Sequence, residues 1–233
     1  MNIISWNCNG ALRKKLEPIS VFNADLYIIQ ECEDPAKTND KNYQSWAGHY
    51  LWYGHNKNKG IGVFAKNGFT LTLMPFESGR LESFLPFMVN ETFTFLAVWT
   101  REANSPTFKY IGQLWKYLQL YKNQLKTDKT VIIGDLNSNV RWDAWDRWWN
   151  HSDVVRELEE IGIYSLYHHV YKQEQGSESK PTFYLQRKID KPYHIDYAFI
   201  SKELTSSATL SVGEKEIWLE HSDHMPLSVY LNG

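Results

Sequence analysis

The chain contains little cysteine, no surplus of charge of either sign and no long apolar run. Its two cysteines, Cys8 and Cys32, are too few for a disulfide framework and predict a reducing compartment, the cytoplasm. The 25 basic and 27 acidic residues nearly cancel, which argues against tight charge-driven binding to long duplex DNA but allows local recognition of a phosphate. No apolar run approaches the roughly 18 residues of a membrane span. The initial MNIISWNCNG also lacks the features of a secretory signal, so no membrane association is expected.

What the chain does contain is typical of a large globular domain. At 233 residues and 42% hydrophobic content, it is long and apolar enough to bury a sizeable core. It shows no internal repeat, low-complexity tract or linker, so we expect a single domain over residues 1–233, and no segment indicates a protein partner. Aromatic residues reach 15% of the chain and include ten tryptophans, four of which fall in one short segment.

Short apolar or alternating segments, bounded by Gly, Asn, Asp or Pro, predict a chain dominated by strands. The predicted strands cover residues 3–6, 26–30, 61–65, 69–74, 93–99, 131–135, 182–185, 195–200, 208–212 and 227–231. The predicted helices cover residues 13–23, 110–125 and 152–162, the last with Ser152 as N-cap and Gly162 at its end, and residues 174–180 read as a surface loop. Strands and helices do not alternate regularly, so we expect an α/β sandwich rather than a doubly wound sheet.

Polar residues interrupt or end several of these apolar strands. Asn7 and Asn9 follow the first strand, Glu31 follows the second, and Asp135 and Asn137 end the strand in VIIGDLNSN. Strand ends converge when neighbouring strands share a direction or an edge. Clustered carboxylate and amide oxygens suit a hard divalent cation such as Mg²⁺, which in turn suits phosphate chemistry. Each of these residues taken alone is also explained as a turn former.

Asp196 is different, because it lies within an apolar strand between Ile195 and Tyr197. A carboxylate there costs several kcal/mol unless it is paired with a cation or an imidazole. Five side chains qualify as its partner: His194, His221, His224, Lys188 and Lys191.

The stretch HSDHMP, at residues 221–226, precedes the last predicted strand and holds two imidazoles and the carboxylate of Asp223. By itself it is explained more readily by a solvated loop than by a catalytic or metal site. A zinc site formed by His221 and His224 is disfavoured, because no further His or Cys recurs at ligand spacing.

Six motifs follow one another along the chain: SWNCNG, IIQE, GIGVFAK, IIGDLNSN, HIDYAFIS and SDHMPL. In this order and at this spacing they resemble the endonuclease/exonuclease/phosphatase superfamily, over residues 2–231, and SWNCNG and IIQE are closest to its exonuclease III and abasic-site endonuclease side. The resemblance implies a four-layer α/β sandwich, with two mixed, mainly antiparallel sheets packed face to face and helices outside. It also implies a Mg²⁺- or Mn²⁺-dependent phosphoesterase with its active site at one edge of the sandwich.

The resemblance also implies roles for individual residues. It makes Glu31 the principal metal ligand, with Asn9 and Asp223 nearby, and it makes Asn7 the amide that contacts the metal or the phosphate. Glu31, Asn9 and Asp223 would form the metal side of the site, and Asn7 is counted with the catalytic residues.

On the catalytic side, the resemblance makes Asp135 and Asn137 the pair that orients the attacking water and the phosphoryl oxygens. It makes Asp196 and His224 a carboxylate–imidazole pair. Either Asp135 or His224 would take the proton of the water. We favour Asp135, with an imidazolium-like His224 on the phosphate.

Two positions depart from the abasic-site endonuclease branch. There the strand before the long helix ends in Tyr, followed three positions later by Asn, whereas this chain has Trp99 and Glu102. An indole N–H donates to a phosphate oxygen but cannot lose a proton as a phenol can. Arg101 is a candidate for gripping phosphate instead, although it is equally explained as a surface residue.

The segment RWDAWDRWWNH, at residues 141–151, directly follows GDLNSN. Its tryptophans recur every three to four residues, so a helical turn would bring Trp142, Trp145 and Trp148 or Trp149 to one side. They either pack this segment on the sandwich or form a platform that stacks on a base or sugar. Tyr193, three residues before Asp196, is a further candidate for lining the substrate.

Three functions remain open on the sequence. The first is a metal-dependent endonuclease or exonuclease on DNA or RNA, including DNA repair. The second is a phosphatase or phosphodiesterase acting on a small-molecule or lipid phosphoester, which would use the same reactive centre. The third is a non-catalytic binding module that kept the fold. We favour the nuclease, because SWNCNG and IIQE are closest to the exonuclease III side of the superfamily. The binding module is disfavoured, because every expected reactive position holds a competent residue.

Overall fold

A computed structural model describes every residue of the chain except residues 78, 80, 104 and 233. The described residues form fourteen strands and seven α-helices. The strands are β1 (Asn2–Asn7), β2 (Leu26–Cys32), β3 (His49–Asn56), β4 (Lys59–Ala65), β5 (Leu71–Leu73), β6 (Phe84–Val89), β7 (Phe93–Trp99), β8 (Thr130–Asp135), β9 (Ile163–Ser165), β10 (Phe183–Tyr184), β11 (Pro192–Tyr193), β12 (Asp196–Ser201), β13 (Thr209–Val212) and β14 (Leu227–Tyr230). The α-helices are α1 (Leu16–Ser20), α2 (Lys41–Ala47), α3 (Ile111–Leu125), α4 (His151–Glu160), α5 (Leu166–Tyr171), α6 (Lys202–Thr205) and α7 (Lys215–Trp218).

Twelve of the strands form two six-stranded sheets, and β10 and β11 form a separate ribbon. The first sheet has the order β13-β14-β1-β2-β4-β3, and the second has the order β5-β6-β7-β8-β12-β9. Each sheet contains one parallel pair, β1 with β2 and β7 with β8. The other neighbouring strands are antiparallel. Two mixed, mainly antiparallel sheets are therefore present, as predicted.

The two sheets pack face to face through β1, β2, β7 and β8. Because side chains alternate between the two faces of a strand, β6, β7, β8 and β12 of the second sheet each contribute to two cores. Val131 and Ile133 of β8 join the core between the sheets, whereas Ile132 joins a second core with Leu114 of α3 and Leu158 of α4. This alternation produces the layered sandwich that the sequence predicted.

The helix predictions are confirmed for α3 and need correction elsewhere. Asn150, not Ser152, caps α4, because its amide and the Asp153 carboxylate form a reciprocal capping box. Gly162 does follow the end of this helix, with φ of 81°. The helix predicted over residues 13–23 is broken into a 3₁₀ turn at Leu12–Lys14 and the short α1.

Each predicted strand overlaps a strand of the structure, although residues 182–185 contribute only the two residues of β10. The sequence prediction missed β3, β6, β9 and β11 and the helices α2, α5, α6 and α7. No helix in the described part of the chain is long and apolar enough to cross a membrane.

Candidate active site

The carboxyl ends of the two parallel strand pairs meet at one edge of the sandwich. β1 and β2 run side by side to Asn7 opposite Gln30, and β7 and β8 run to Trp99 opposite Asp135. These four strands pack against one another, so their polar ends converge. Asp196 at the start of β12 is the register partner of Asp135, and both continue the rows of side chains that face the first sheet.

Gly134 allows β8 to end close to β7. Its φ is +145°, and a Cβ at this position would lie 1.9 Å from the backbone oxygen of Val98. Only glycine fits there without moving the neighbouring strand. The glycine of the GDLN motif therefore fixes the place of Asp135.

Asp135 is fully buried and receives three N–H donors. Its Oδ1 accepts from the backbone N–H of Asn137 at 2.8 Å, and its Oδ2 accepts from Nδ2 of Asn7 at 2.9 Å and from Nδ2 of Asn137 at 2.8 Å. A carboxylate offers about four acceptor positions, so one remains unused. The arrangement orients the carboxylate while leaving it able to act.

The imidazole of His224 is the partner of Asp196. Its Nδ1 lies 2.9 Å from Oδ2 and 3.2 Å from Oδ1 of Asp196. The backbone of His224 is fixed as well, since its N–H donates to Oγ of Ser222 at 3.1 Å and its carbonyl accepts from the indole N–H of Trp6 at 2.9 Å. Nε2 lies 3.9 Å from Oδ2 of Asp135, which is too far for a hydrogen bond.

The other candidate partners of Asp196 are engaged elsewhere. His194 Nδ1 lies 2.8 Å from the carbonyl oxygen of Lys180, and His221 Nε2 lies 3.0 Å from Oε1 of Glu220. Lys188 and Lys191 are exposed. His221 also takes no part in a cluster of ligating side chains within the described residues, so the structure gives no support to a zinc pair with His224.

The electrostatics of this group favour a protonated ring beside a carboxylate that titrates near neutrality. Burial raises the pKa of Asp135 from 3.8 to about 7; the charge of His224 and the bond from Asn7 oppose this rise, and the charge of Asp196 adds to it. Burial by itself lowers the pKa of His224, but the carboxylates of Asp196 and Asp135 outweigh it and raise the pKa from 6.5 to about 9. A group with a pKa near the working pH is suited to accept a proton.

Glu31 lies at a bulge in β2. The pairing of β2 with β4 shifts register on either side of it, and its φ is 61°. A bulge re-aims a side chain, and here Oε1 of Glu31 lies 3.4 Å from Nδ2 of Asn7, while Oε2 forms an ion pair with Lys59. The same Nδ2 binds Asp135, so one amide links the two carboxylates.

The donor set around Glu31 fits a hard divalent cation. Glu31 and Asp135 place two carboxylates beside one amide, and the backbone N–H of Asn9 donates to Oδ1 of Asn7 at 3.0 Å, which brings Asn9 next to them. Asp223 lies next to His224 in the chain, and its Oδ1 is 3.5 Å from Oγ of Ser222. Carboxylate and amide oxygens are the ligands that Mg²⁺ and Mn²⁺ prefer, and a cation would offset the crowded negative charge.

A second group of side chains in the site also carries atoms that could ligate a metal. Asp135, Asp196 and His224 each offer one ligand atom. Within the described residues, they are the group of His, Cys, Asp or Glu side chains whose ligand atoms all lie within 4.8 Å of one another. These atoms already bind each other or the neighbouring amides, so the group is better explained as a network that holds a proton. Glu31 and Asp223, the expected metal ligands, lie outside it.

Trp99 and Arg101 lie on the Glu31 side of the site. Trp99 is mostly buried at the end of β7, and the guanidinium of Arg101 lies 5.4 Å from the centre of its ring. Arg101 also forms an ion pair with Glu82. Trp99, Arg101 and Lys59 line a cavity of about 520 Å³, which brings both predicted substrate-binding residues next to the ion pair of Glu31.

The tryptophan-rich segment is not the helix that its spacing predicted. Only Val140–Trp142 forms a 3₁₀ turn, and irregular turns lead from there to α4. Two amide side chains explain this, because they bind backbone groups that a helix would pair. Oδ1 of Asn139 accepts from the N–H of Arg141, and Nδ2 of Asn150 donates to the carbonyls of Ala144 and Arg147.

The irregular path separates the tryptophans. The Trp142 ring lies 5.4 Å from that of Tyr193, between ring centres, whereas Trp145 is 97% exposed. Trp149 packs against Phe108 with ring centres 4.6 Å apart. The segment thus combines one packed ring, one ring beside Tyr193 and one ring in solvent.

The sequence model of the Endonuclease/Exonuclease/phosphatase family matches residues 4–224. The chain belongs to this family. It is therefore a phosphoester hydrolase by class. A search among curated proteins finds no sequence match.

Several solved structures share the fold of this chain. A 3′-5′ exonuclease, NExo from Neisseria meningitidis, has a TM-score of 0.75 and 19% identity, with 100% of both chains covered. A structure described as the 3′ phosphatase NExo from Neisseria bound to product DNA hairpin has a TM-score of 0.71 and 17% identity, with 100% of both chains covered. An AP endonuclease from Archaeoglobus fulgidus has a TM-score of 0.65 and 18% identity, also with full coverage of both chains. At this identity, the likeness shows the shared fold.

Four further residues, Thr182, Ser222, Asn139 and Glu178, support the site through hydrogen bonds and were not among the predicted site residues. Oγ1 of Thr182 accepts from the backbone N–H of Asp196 at 3.0 Å, and Oγ of Ser222 donates to the carbonyl of Asn7 at 2.8 Å. Nδ2 of Asn139 donates to the carbonyl of His194 at 3.1 Å and lies 3.1 Å from Oε2 of Glu178. Asn139 and Ser222 lie inside two of the recognised motifs, which is a signal that could have identified them.

Glu178, in contrast, belongs to none of the six sequence motifs. It lies in the polar stretch of residues 174–180, which predicted a surface loop, yet its side chain is only 1% exposed. Its Oε1 lies 3.2 Å from Nε2 of His168 and accepts from the N–H of Gly176 at 2.9 Å. Burial raises the pKa of Glu178, but these bonds and that from Asn139 outweigh it and lower the pKa from 4.5 to about 2.

Proposed function

We propose that this chain is a divalent-metal-dependent nuclease that hydrolyses phosphodiester bonds of DNA or RNA by in-line attack of water. The observation that carries the proposal is the buried ring of His224, which is bonded to Asp196 and lies 3.9 Å from Asp135 at the edge where Glu31 and Asn7 also converge. We place this activity in one domain over residues 1–233 and in the cytoplasm, in keeping with the buried free thiols of Cys8 and Cys32.

The metal-binding side of the proposal uses Glu31, with Asn9 and Asp223 nearby. A Mg²⁺ or Mn²⁺ ion held there would offset the negative charge that develops on the phosphoryl and leaving oxygens. Asn7 orients Glu31, because its Nδ2 lies between the Glu31 and Asp135 carboxylates. When the cation binds, Glu31 must either break its ion pair with Lys59 or bind both positive charges.

Asp135 is the proposed acceptor of the water's proton. Three N–H donors from Asn7 and Asn137 fix its orientation, and one acceptor position remains open. Its pKa of about 7 allows it to take a proton at neutral pH. Asn137 would also contact the phosphoryl oxygens, as the family resemblance implies.

His224 is the proposed donor to the phosphate. Because Asp196 holds Nδ1, a protonated ring presents its other N–H, on Nε2, toward the space beside Asp135. A charged N–H donor stabilises the transition state more than the ground state, because the charge on the phosphoryl oxygens grows there. Asp196 acts through His224 by fixing the orientation and charge of the ring.

The proposal assigns substrate contacts to Trp99, Arg101, Tyr193, Trp142 and Trp145. The indole N–H of Trp99 forms no hydrogen bond within the described part of the chain, so it is free to donate to a phosphate. The activities named for the similar structures, 3′-5′ exonuclease, 3′ phosphatase and AP endonuclease, support DNA ends and abasic sites as substrates, and with them a role in DNA repair.

A substrate panel tests this proposal. It contains labelled single-stranded DNA, single-stranded RNA, an abasic duplex, a 3′-phosphorylated duplex, and generic small-molecule and lipid phosphoesters, each with Mg²⁺, Mn²⁺ or EDTA. We expect metal-dependent cleavage of at least one nucleic acid. Cleavage of the small phosphoesters alone would favour the phosphatase alternative. If no substrate of the panel is cleaved, the non-catalytic binding module becomes the favoured function.

A further inference from the structure

A cavity of about 400 Å³ opens beside Asn137 at the N-terminal end of α3. Three aromatic rings line it, those of Tyr110, Trp142 and Trp149. Its size falls within the range of sites that hold small planar ligands, which is about 300–1,000 Å³. Because Asn137 is also part of its wall, the cavity adjoins the proposed reaction centre.

The walls of this pocket are held in place before any ligand binds. Trp149 rests on Phe108 and on Gly112, where an added Cβ would lie 2.8 Å from the indole. The carbonyl of Trp142 accepts from Nη2 of Arg147 at 2.6 Å. A pre-formed site loses little conformational entropy on binding.

Arg147 supplies a fixed positive charge to the pocket. Its Nη2 donates to Trp142 and its Nε donates to Oδ1 of Asn150 at 2.9 Å. Among the described residues it has no carboxylate partner within ion-pair distance, whereas Lys109, the other cation of the pocket, pairs with Glu102. A held guanidinium without a counter-charge is suited to bind a phosphate.

A row of aromatic rings joins the pocket to the catalytic imidazole. Between ring centres, Trp142 lies 5.4 Å from Tyr193, Tyr193 lies 6.3 Å from Phe183, and Phe183 lies 4.6 Å from His224. The pocket is therefore linked to the reaction centre in two ways. Asn137 is part of its wall, and the row of rings runs from Trp142, also in its wall, to His224. A planar group bound in it would be a near neighbour of the phosphate that is cut.

We infer that this pocket binds an unpaired nucleobase next to the scissile phosphate, an inference that rests on the proposed function. With a net charge of −2, the chain has no overall basic surplus to hold a duplex by its phosphates. Stacking on aromatic rings is the other main source of affinity for nucleic acids, and it requires a base whose faces are free. A paired base must first be unstacked, so single strands and frayed ends are the preferred substrates.

Fluorescence anisotropy tests this inference without cleavage, with Ca²⁺ replacing Mg²⁺. The probes are labelled single strands of DNA and of RNA, each of about ten nucleotides, and a blunt DNA hairpin. We expect Trp142→Ala to weaken single-strand binding roughly tenfold to a hundredfold, as loss of one base-stacking ring does, and to change hairpin binding less than about twofold. Trp142→Phe should retain most of the single-strand affinity.

Tyr230→Ala is the control, because Tyr230 is a half-exposed aromatic residue on β14 that does not line the pocket. It should change neither affinity. Unchanged single-strand binding in Trp142→Ala would overturn the inference, as would an equal loss for single strand and hairpin. The substrate panel decides the proposed function separately, so failure of the pocket and failure of the nuclease activity are distinguishable.

Discussion

Asp135 and Asp196 are direct partners in the antiparallel register of β8 and β12, and the ring of His224 contacts this pair, 2.9 Å from Asp196 and 3.9 Å from Asp135. The two carboxylates have different surroundings. Asp196 is committed to the imidazole, while Asp135 is held by amides and keeps one acceptor position open. The same two residue types therefore suit different roles: one fixes the ring and the other takes a proton.

Replacement of Asp196 by Asn tests the first of these roles. The amide keeps the shape of the side chain but no longer stabilises a positive charge on His224 or fixes its tautomer. We expect kcat to fall by about 10²- to 10⁴-fold while KM changes little. Steady-state kinetics measure this, with circular dichroism to check folding. A kcat within about threefold of the wild type would refute the positioning role.

Replacement of Lys59 by Met tests the assignment of the metal to Glu31. Removing the ammonium group that pairs with Glu31 should lower the Mg²⁺ concentration for half-maximal activity by about twofold to fivefold, the size of a partly exposed ion pair. Lys57→Met makes the same change of charge in the same hairpin without contact to Glu31. If both variants shift the Mg²⁺ requirement equally, the effect is long-range and Glu31 is not specifically involved.

Acid should weaken the fold through His151. This side chain is fully buried, neither ring nitrogen forms a hydrogen bond within the described residues, and burial lowers its pKa from 6.5 to about 4. Between about pH 6.5 and pH 4, His151 is protonated in the unfolded chain but stays neutral in the folded chain. The free energy of unfolding therefore decreases as the pH falls through this range.

Urea unfolding at pH 7 and pH 4.5 measures this loss. Relative to His151→Phe, the wild type should lose about 2 to 3 kcal/mol more between the two pH values. His169→Phe, at an exposed position, serves as the control. An equal loss in the wild type and His151→Phe would show that other groups cause the acid sensitivity.

Asn139 should position the catalytic segment that contains Asp135 and Asn137. Its Nδ2 binds the carbonyl of His194 and lies within hydrogen-bond distance of Glu178, so Asn139→Ala frees the segment and leaves buried partners unsatisfied. We expect a loss of about 1–3 kcal/mol in the free energy of unfolding and a fall in kcat of about tenfold. Lower stability with an unchanged kcat would limit Asn139 to a structural role.

Much of the fold could be predicted because its central strands are buried and apolar. Residues 131–135 read as a strand and form β8. β6 was missed because Pro86 lies in the middle of it, and proline counts against a strand when only the sequence is known. β3 was missed because most of its residues are half-buried or exposed, which blurs the alternation.

The site was predictable where residues belong to motifs, and not where tertiary packing decides. The sequence required a partner for Asp196, but the choice of His224 among five candidates came from the family resemblance, and the structure agrees with it. The spacing of the tryptophans predicted a helical face, yet Asn139 and Asn150 bind the backbone and place only Trp142 beside Tyr193. Glu178 is buried by contacts that its polar sequence does not indicate.

The central claim is that the network of His224, Asp196 and Asp135 cuts nucleic acid with a divalent metal. The most direct measurement is the single-turnover cleavage rate of the labelled oligonucleotide panel by the wild type and by His224→Ala, with Mg²⁺ or Mn²⁺ and with EDTA. We expect metal-dependent cleavage by the wild type and a rate lower by about 10²- to 10⁴-fold in His224→Ala. Cleavage of no nucleic acid, or an undiminished rate in His224→Ala, would contradict it.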